Sequence, residues 1–343
     1  MSLDEKIKTI LKELGVDVFF HTDPRTNITI GSFVLPTEKT KTQTQTQTKV
    51  KGKTMYDLKL NDKYLIPIEK GQAVGKGWKS RSGYKPMGVT WHWTAGWDLE
   101  RGCSKILGGA NASRKGKASA HFGVGRSFDE GIDRYVTIEN RSWHAGANQS
   151  LRWDGKPCYV GGVRYSGASY CIGIETVNVG YARKGVKAKE DWIKCATANG
   201  RTEYLVQNWT EEQIEMMIAL GKHIQERWSH LTWEDHHDHQ DLCAGYKVDS
   251  IGFPFARVLR GIYNDPSIPD VWSPFLLLQQ RQEALIELGY DLGKWGADGD
   301  WGRASDAALR DFQNDNSMVE DGMWTTFVSK KVYKALERKG LEK

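Results

Sequence analysis

Residues 239–249 read His239-Gln240-Asp241-Leu242-Cys243-Ala244-Gly245-Tyr246-Lys247-Val248-Asp249. A His and an Asp stand ten residues apart, with a Lys two before the Asp. An imidazole at a strand end and a carboxylate across a loop can point into one cavity. Zinc accepts both donor types, and a catalytic site keeps a fourth position for water. A third protein ligand must then come from elsewhere. His92 is the best candidate, because Gly88-Val89-Thr90-Trp91-His92-Trp93 reads as a strand that ends at Thr94-Ala95-Gly96, where small residues leave room for a substrate. Each of these residues alone has an ordinary structural reading; the combination is much more specific.

Outward from this stretch the pattern is that of an α/β domain over residues 55–265. Ala120-His121-Phe122-Gly123-Val124 and Tyr170-Cys171-Ile172-Gly173-Ile174-Glu175 read as two further strands. Thr210-Glu211-Glu212-Gln213 opens a helix, with Thr210 as N-cap and Gln213 completing a capping box. The helix is predicted to run to about Ser229, with Ile214, Met217, Ile218, Gly221 and Ile224 on one face. A closing helix is predicted over 254–263. Pro266 and Pro269 mark a boundary, and residues 272–340 read as a small all-α unit. Its first helix carries Leu276, Leu277, Gln280, Leu285 and Leu288 and stops at Gly289; a second runs from Ser305 to about Asn314, and a third to about Glu337.

The N-terminal part is different in kind. Residues 2–15 read as an amphipathic helix through Ile7, Ile10, Leu11 and Leu14, ended by Gly15. Two β-like runs follow within 16–36, so residues 1–36 form an extension of a short helix and strands. Residues 37–54, TEKTKTQTQTQTKVKGKT, are almost free of apolar side chains and read as a linker. The alternating Thr residues leave open an exposed strand that pairs with another chain.

Composition bounds the function. The chain has 343 residues and is 39% hydrophobic, enough for real cores. Its net charge is +5, but much of the excess sits in the linker, where Lys39, Lys41, Lys49, Lys51 and Lys53 face only Glu38. A nucleic-acid interface needs basic residues clustered on one face, so nucleic acid is not an expected partner. No apolar run is long enough to span a bilayer, so membrane insertion is not expected either. The first residues, MSLDEKIKTILKELG, contain no apolar core of a secretory signal. The five Cys are odd in number and form no CxxC, which predicts free thiols.

With these motifs laid out, the chain resembles the zinc-dependent N-acetylmuramoyl-L-alanine amidases, a family that includes peptidoglycan recognition proteins and phage lysins. Five motifs occur in the family's order: Trp91-His92-Trp93-Thr94-Ala95-Gly96, Ala120-His121-Phe122, Trp143-His144-Ala145-Gly146, Ile172-Gly173-Ile174-Glu175, and His239 to Asp249. The resemblance implies a central mixed β-sheet flanked by helices. It implies Zn2+ as cofactor with His92, His239 and Asp249 as ligands, Glu175 as general base and Lys247 as the oxyanion-stabilising cation. It places Trp93, His121, Trp143 and His144 along the substrate groove. The family's ten-residue spacing selects His239 over His237, which a two-residue slip would put in its place. Insertions at 98–118 and 180–205 are either groove walls or solvated loops.

The C-terminal unit has its own resemblance. Ala297-Asp298-Gly299-Asp300-Trp301-Gly302, Ser305, Ala308-Leu309 and Phe312-Gln313 are similar to the three-helix peptidoglycan-binding module of wall hydrolases. Trp301 and Trp324 offer flat faces for a sugar or peptide there, or else belong to the core. The combination implies a peptidoglycan hydrolase cleaving between N-acetylmuramic acid and L-alanine, with peptidoglycan as its partner. An enzyme domain, a wall-binding domain and no evident signal fit a phage lysin that passes from host cytoplasm to periplasm and cell wall. The 1–54 extension motivates a rival setting, a virion-associated component held by phage tail proteins. A non-catalytic peptidoglycan binder is the remaining alternative.

Overall fold

A computed structural model describes residues 57–340 apart from short stretches (67, 70–71, 74–76, 82, 110, 114–116, 147–151, 154–155, 158, 161–162, 165, 201 and 244), and, before residue 57, the backbone of two strands. The chain divides into two compact units, Met1–Thr54 and Met55–Lys343. In the first, β1 (Asp17–Thr22) pairs antiparallel with β2 (Thr29–Val34), with Asp17 opposite Val34 and Thr22 opposite Thr29. The predicted helix over 2–15 and the linker over 37–54 lie outside the described residues.

The second unit is built on a six-stranded mixed sheet. Its strands are β3 (Leu60–Asn61), β5 (Gly88–Trp93), β6 (Phe122–Val124), β7 (Ile132–Arg134), β9 (Cys171–Thr176) and β12 (His236–Asp238), and their order across the sheet is β12-β5-β9-β6-β7-β3. Strands β12, β5, β9 and β6 run parallel, and β6–β7 is antiparallel. A separate pair joins β4 (Trp78–Ser80) to β8 (Asn140–Ser142). Another joins β10 (Ile193–Ala196) to β11 (Glu203–Val206).

The period of two along β5 and β9 sorts their side chains. Val89, Trp91 and Trp93 share a face with Ile172 and Ile174, and this face is packed by α1 (Glu211–Arg227) and α3 (Phe255–Tyr263). Met216, Met217 and Leu220 on α1 and Val258 and Leu259 on α3 are fully buried in this layer. Each such burial contributes about 1.5–3 kcal/mol. The opposite faces of the same strands carry Thr90, His92, Gly173 and Glu175. The predicted α/β class with a central mixed sheet and flanking helices is what the structure shows.

Helix α1 starts where its sequence signal places it: the Thr210 side chain accepts a hydrogen bond from Gln213 N at 3.1 Å. The reciprocal half of the expected capping box is absent, because the Gln213 amide instead donates to Val177 O at 2.9 Å and ties the helix to the strand β9 exit. The C-terminal region consists of α4 (Leu278–Leu288), α5 (Arg303–Asp315) and α6 (Thr326–Arg338) around Leu285, Leu309, Phe312, Trp324, Val328 and Val332. Gly289 ends α4 at φ 100°, a conformation that favours glycine. Between β12 and α3 lies α2 (His239–Cys243), a single short turn of helix. No described helix is long and apolar enough to cross a membrane. Among the described residues, Cys103, Cys171, Cys195 and Cys243 form no disulfide.

Candidate metal centre

Because β5, β9 and β12 are parallel, their carboxyl ends lie at one edge of the sheet, where open α/β sheets place their ligands. His92 is the penultimate residue of β5, and Glu175 is its register partner on β9. His239 follows the last residue of β12 and opens α2. The chain then returns through the 245–248 loop to Asp249.

These residues converge. His92 Nδ1 lies 3.1 Å from His239 Nδ1 and 3.1 Å from Asp249 Oδ2, and His239 Nδ1 lies 2.8 Å from the same carboxylate oxygen. Among the described residues they form a group whose donor atoms all lie within 4.8 Å of one another. His92 Nε2 is 2.9 Å from His144 Nδ1, so the His144 ring fixes the far side of His92. His144 lies over Gly173, where a Cβ would come within 2.2 Å of its ring, so glycine on β9 is what admits it. The Thr176 hydroxyl donates to His92 O at 2.7 Å and Ser250 Oγ donates to Trp91 O at 3.1 Å, bracing the end of β5.

Electrostatics suit a cation. Burial first, and then the neighbouring His239, lower the His92 pKa to about 4, with the Lys247 ammonium adding to the effect. Burial likewise holds His144 well below its ordinary value, assisted by His92. Burial alone would raise Asp249, but the interaction with His239 and the hydrogen bonds from both imidazoles overcome it and hold the carboxyl well below its usual range. Two imidazole nitrogens and one ionised carboxylate oxygen, with His92 kept neutral, match the donor set of a zinc site with one position left for water. The residues present therefore fit the ion that the resemblance implies.

The structure brings His92, His239 and Asp249 together, with Glu175 in register beside His92. It does not bring His237 to them. That side chain is fully buried on β12, with its ring centroid 5.2 Å from Phe327 and Nδ1 3.6 Å from Asp241 Oδ2. Lys247 is half-buried with Nζ 5.7 Å from the Tyr246 ring. Trp143 is half-buried, and its backbone pairs with Ser119.

Two of the expected groove residues are placed elsewhere, and Trp301 takes the packed one of its two expected roles. His121 has no exposed surface: its Nδ1 accepts from Gly173 N at 2.9 Å and lies 2.8 Å from Ser142 Oγ, while Nε2 lies 3.1 Å from Asn140 O. It is a structural node joining β8 to β9. Trp93 points to the helix-packed face and is only 8% exposed, with Tyr181 against its ring. Trp301 is half-buried, set edge-on to Trp324 at 6.2 Å and close against Gly200. Its ring thus packs in the seam between the helical module and the sheet domain. The residues not anticipated are Gly173, Thr176 and Asp241; a glycine at mid-strand was the one visible signal among them.

A His-His-Asp group at the carboxyl edge of a mixed sheet, followed by a small helical module, defines a two-part α/β protein with a candidate metal centre. Comparison with protein families makes this specific. Residues 82–250 match the N-acetylmuramoyl-L-alanine amidase family, and residues 277–331 match the putative peptidoglycan binding domain family. The chain carries an N-acetylmuramoyl-L-alanine amidase domain followed by a peptidoglycan-binding domain. No curated protein matches the chain. Among solved structures, it is similar to AmpDh3 from Pseudomonas aeruginosa at 20% identity and TM-score 0.39, covering 76% of this chain and 95% of that one. It is also similar to AmpDh3 in complex with anhydromuramic pentapeptide, at 20% identity and TM-score 0.40, covering 81% of this chain and all of that one.

Proposed function

We propose that the chain hydrolyses the amide between the lactyl group of N-acetylmuramic acid and L-alanine, using a zinc ion held by His92 Nδ1, His239 Nδ1 and Asp249 Oδ2. The observation that carries this reading is the convergence of those three donors at the carboxyl edge of the sheet. When bound, zinc supplies Lewis acidity and lowers the pKa of water to near neutrality. The protein supplies the rest. Glu175, in register with His92, is the base that takes a proton from the attacking water and delivers it to the leaving L-alanine nitrogen. Lys247, close enough to depress His92, faces the negative charge that develops on the carbonyl oxygen. His144 orients His92 through its far nitrogen, and Trp143 borders the groove.

Peptidoglycan is the substrate, and the C-terminal domain adds a second hold on the wall. The setting we propose is a phage wall hydrolase, with residues 1–54 as the segment that would tie it to tail proteins in the virion-borne form. The separate compact unit formed by that segment supports such a role. Recovery of the chain with purified virions supports the virion-borne form, and its absence from them supports the free lysin.

Glu175→Gln should lower hydrolysis of purified cell walls by about 10²–10⁴-fold while the protein still sediments with those walls. Undiminished release of L-alanine amino termini by this variant would remove Glu175 from the mechanism.

A further inference from the structure

The helical module touches the segment that presents His239. Helix α2 has only five residues, too few to hold itself by its own hydrogen bonds, so its position depends on anchors outside it. One of its residues is anchored directly by the C-terminal domain, and its neighbour is anchored through Ala198. Asp241 Oδ1 accepts a hydrogen bond from Thr326 N at 2.8 Å, and Asp241 Oδ2 accepts one from Thr326 Oγ1 at 2.5 Å. Thr326 is the first residue of α6, where backbone N–H groups lack partners within the helix and the dipole favours an anion. The sheet domain thus caps a helix of the wall-binding domain across 85 residues of sequence. The neighbouring Gln240 Oε1 accepts from Ala198 N at 2.7 Å, and Ala198 O in turn accepts from Trp324 N at 2.6 Å.

The rest of the seam is equally specific. Arg281 of α4 is buried and donates to Ala196 O and Thr197 O at 3.1 and 2.7 Å. Lys330 of α6 donates to Glu234 O at 2.7 Å, just before β12. Asp238, the last residue of β12, accepts from Asp241 N at 3.0 Å and from Gln240 Nε2 at 3.1 Å. Buried polar groups with paired, directional partners fix one relative placement of two elements; a flexible tether would show none of this.

We propose that the peptidoglycan-binding domain is a fixed part of the metal-holding fold, and that Asp241 is the positioning residue through which Thr326 holds the β12–α2 segment and hence His239. The metal half of this statement rests on the zinc reading above. The wall-binding domain then has a second task besides adhesion: it sets the geometry of one ligand.

The test uses the full chain, with Thr326→Val, Thr326→Ser and Asp241→Asn variants, and reads two quantities. The first is affinity for Zn2+ alone, by competition with a chelator. Thr326→Val lies in the other domain and preserves side-chain volume, yet should weaken zinc about 10-fold or more, the scale of a lost outer-shell partner. Asp241→Asn should do the same, and Thr326→Ser, which keeps both donors, should bind as the parent does. Equal zinc affinity of the parent and a folded Thr326→Val chain overturns the proposal. The second quantity is amide hydrogen exchange over residues 236–243. It should accelerate in Thr326→Val and not in Thr326→Ser. Should the parent take up no zinc, the metal reading falls by itself; accelerated exchange in Thr326→Val still supports the buttress, and unchanged exchange overturns it.

Discussion

Two His–Asp clusters flank the turn from β12 into α2, and they have opposite characters. On one side His92, His239 and Asp249 meet, and the Asp249 side chain keeps 14% of its surface exposed. On the other side His237 lies 3.6 Å from Asp241, whose side chain is fully enclosed. The Asp241 oxygens are occupied by donors from Thr326 and the backbone of Asp238. The Asp249 carboxylate instead faces two imidazole nitrogens that can turn their lone pairs to an ion. The same residue types make a cation site in one place and a structural joint in the other. What separates them is how much acceptor capacity is already used and whether solvent reaches it.

The sharpest way to break this comparison is to exchange the two histidines as targets. His239→Ala should abolish both zinc retention and wall hydrolysis. His237→Gln should keep zinc affinity and activity near the parent values and cost stability only, on the order of 1–3 kcal/mol for a disturbed buried polar site. Isothermal titration with zinc alongside urea unfolding separates the two. If His237→Gln loses zinc while His239→Ala keeps it, the two clusters have been assigned the wrong way round.

A second prediction uses His121, buried with no exposed surface away from the metal candidates. Burial first, and Arg81 next, lower its pKa to about 3 from an ordinary 6.5. The unfolded chain therefore binds the extra proton between pH 6.5 and pH 3, so the stability this residue contributes is complete above pH 6.5 and is lost as pH falls through that window. The full loss is on the order of 3–5 kcal/mol. Unfolding of metal-free protein should show a His121→Asn variant with a shallower acid limb, by about 1.4 kcal/mol per pH unit. Parallel acid limbs would show that His121 does not titrate on unfolding.

The smallest expected effect concerns Gly173. An alanine there would drive its Cβ into the His144 ring, costing about 1–3 kcal/mol of stability and displacing the group behind His92. Zinc affinity should fall as well, by less than the loss of a ligand; an unchanged melting temperature would show that the ring moves aside freely.

Much of this architecture was legible from local pattern. The apolar alternation of residues 88–93 and 171–176 and the Thr210 cap signal place the central strands and helix α1, and Gly289 ends α4 where the pattern stops. The ligand candidates came from spacing and resemblance, and the structure brings them within contact. Motif membership says nothing, however, about which face of a strand a residue takes. Trp93 belongs to the same motif as His92, yet one residue of offset turns it to the helix-packed face. His121 stands just before its strand and is consumed by backbone and hydroxyl partners. Trp301 packs at Gly200, and Asp241 caps α6; both depend on docking between segments far apart in sequence, which no local pattern encodes. The reach of Gln213 to Val177 rather than back to its own cap is a further non-local choice.

Zinc-dependent amide cleavage is tested most directly by digestion of purified cell walls by the intact chain, stripped of metal by a chelator and then supplied with zinc, with the newly formed amino termini identified. The stripped protein should cleave nothing, one equivalent of Zn2+ should restore cleavage, and L-alanine should be the sole new terminus. Cleavage that persists without metal, or new termini other than L-alanine, would contradict the proposed function.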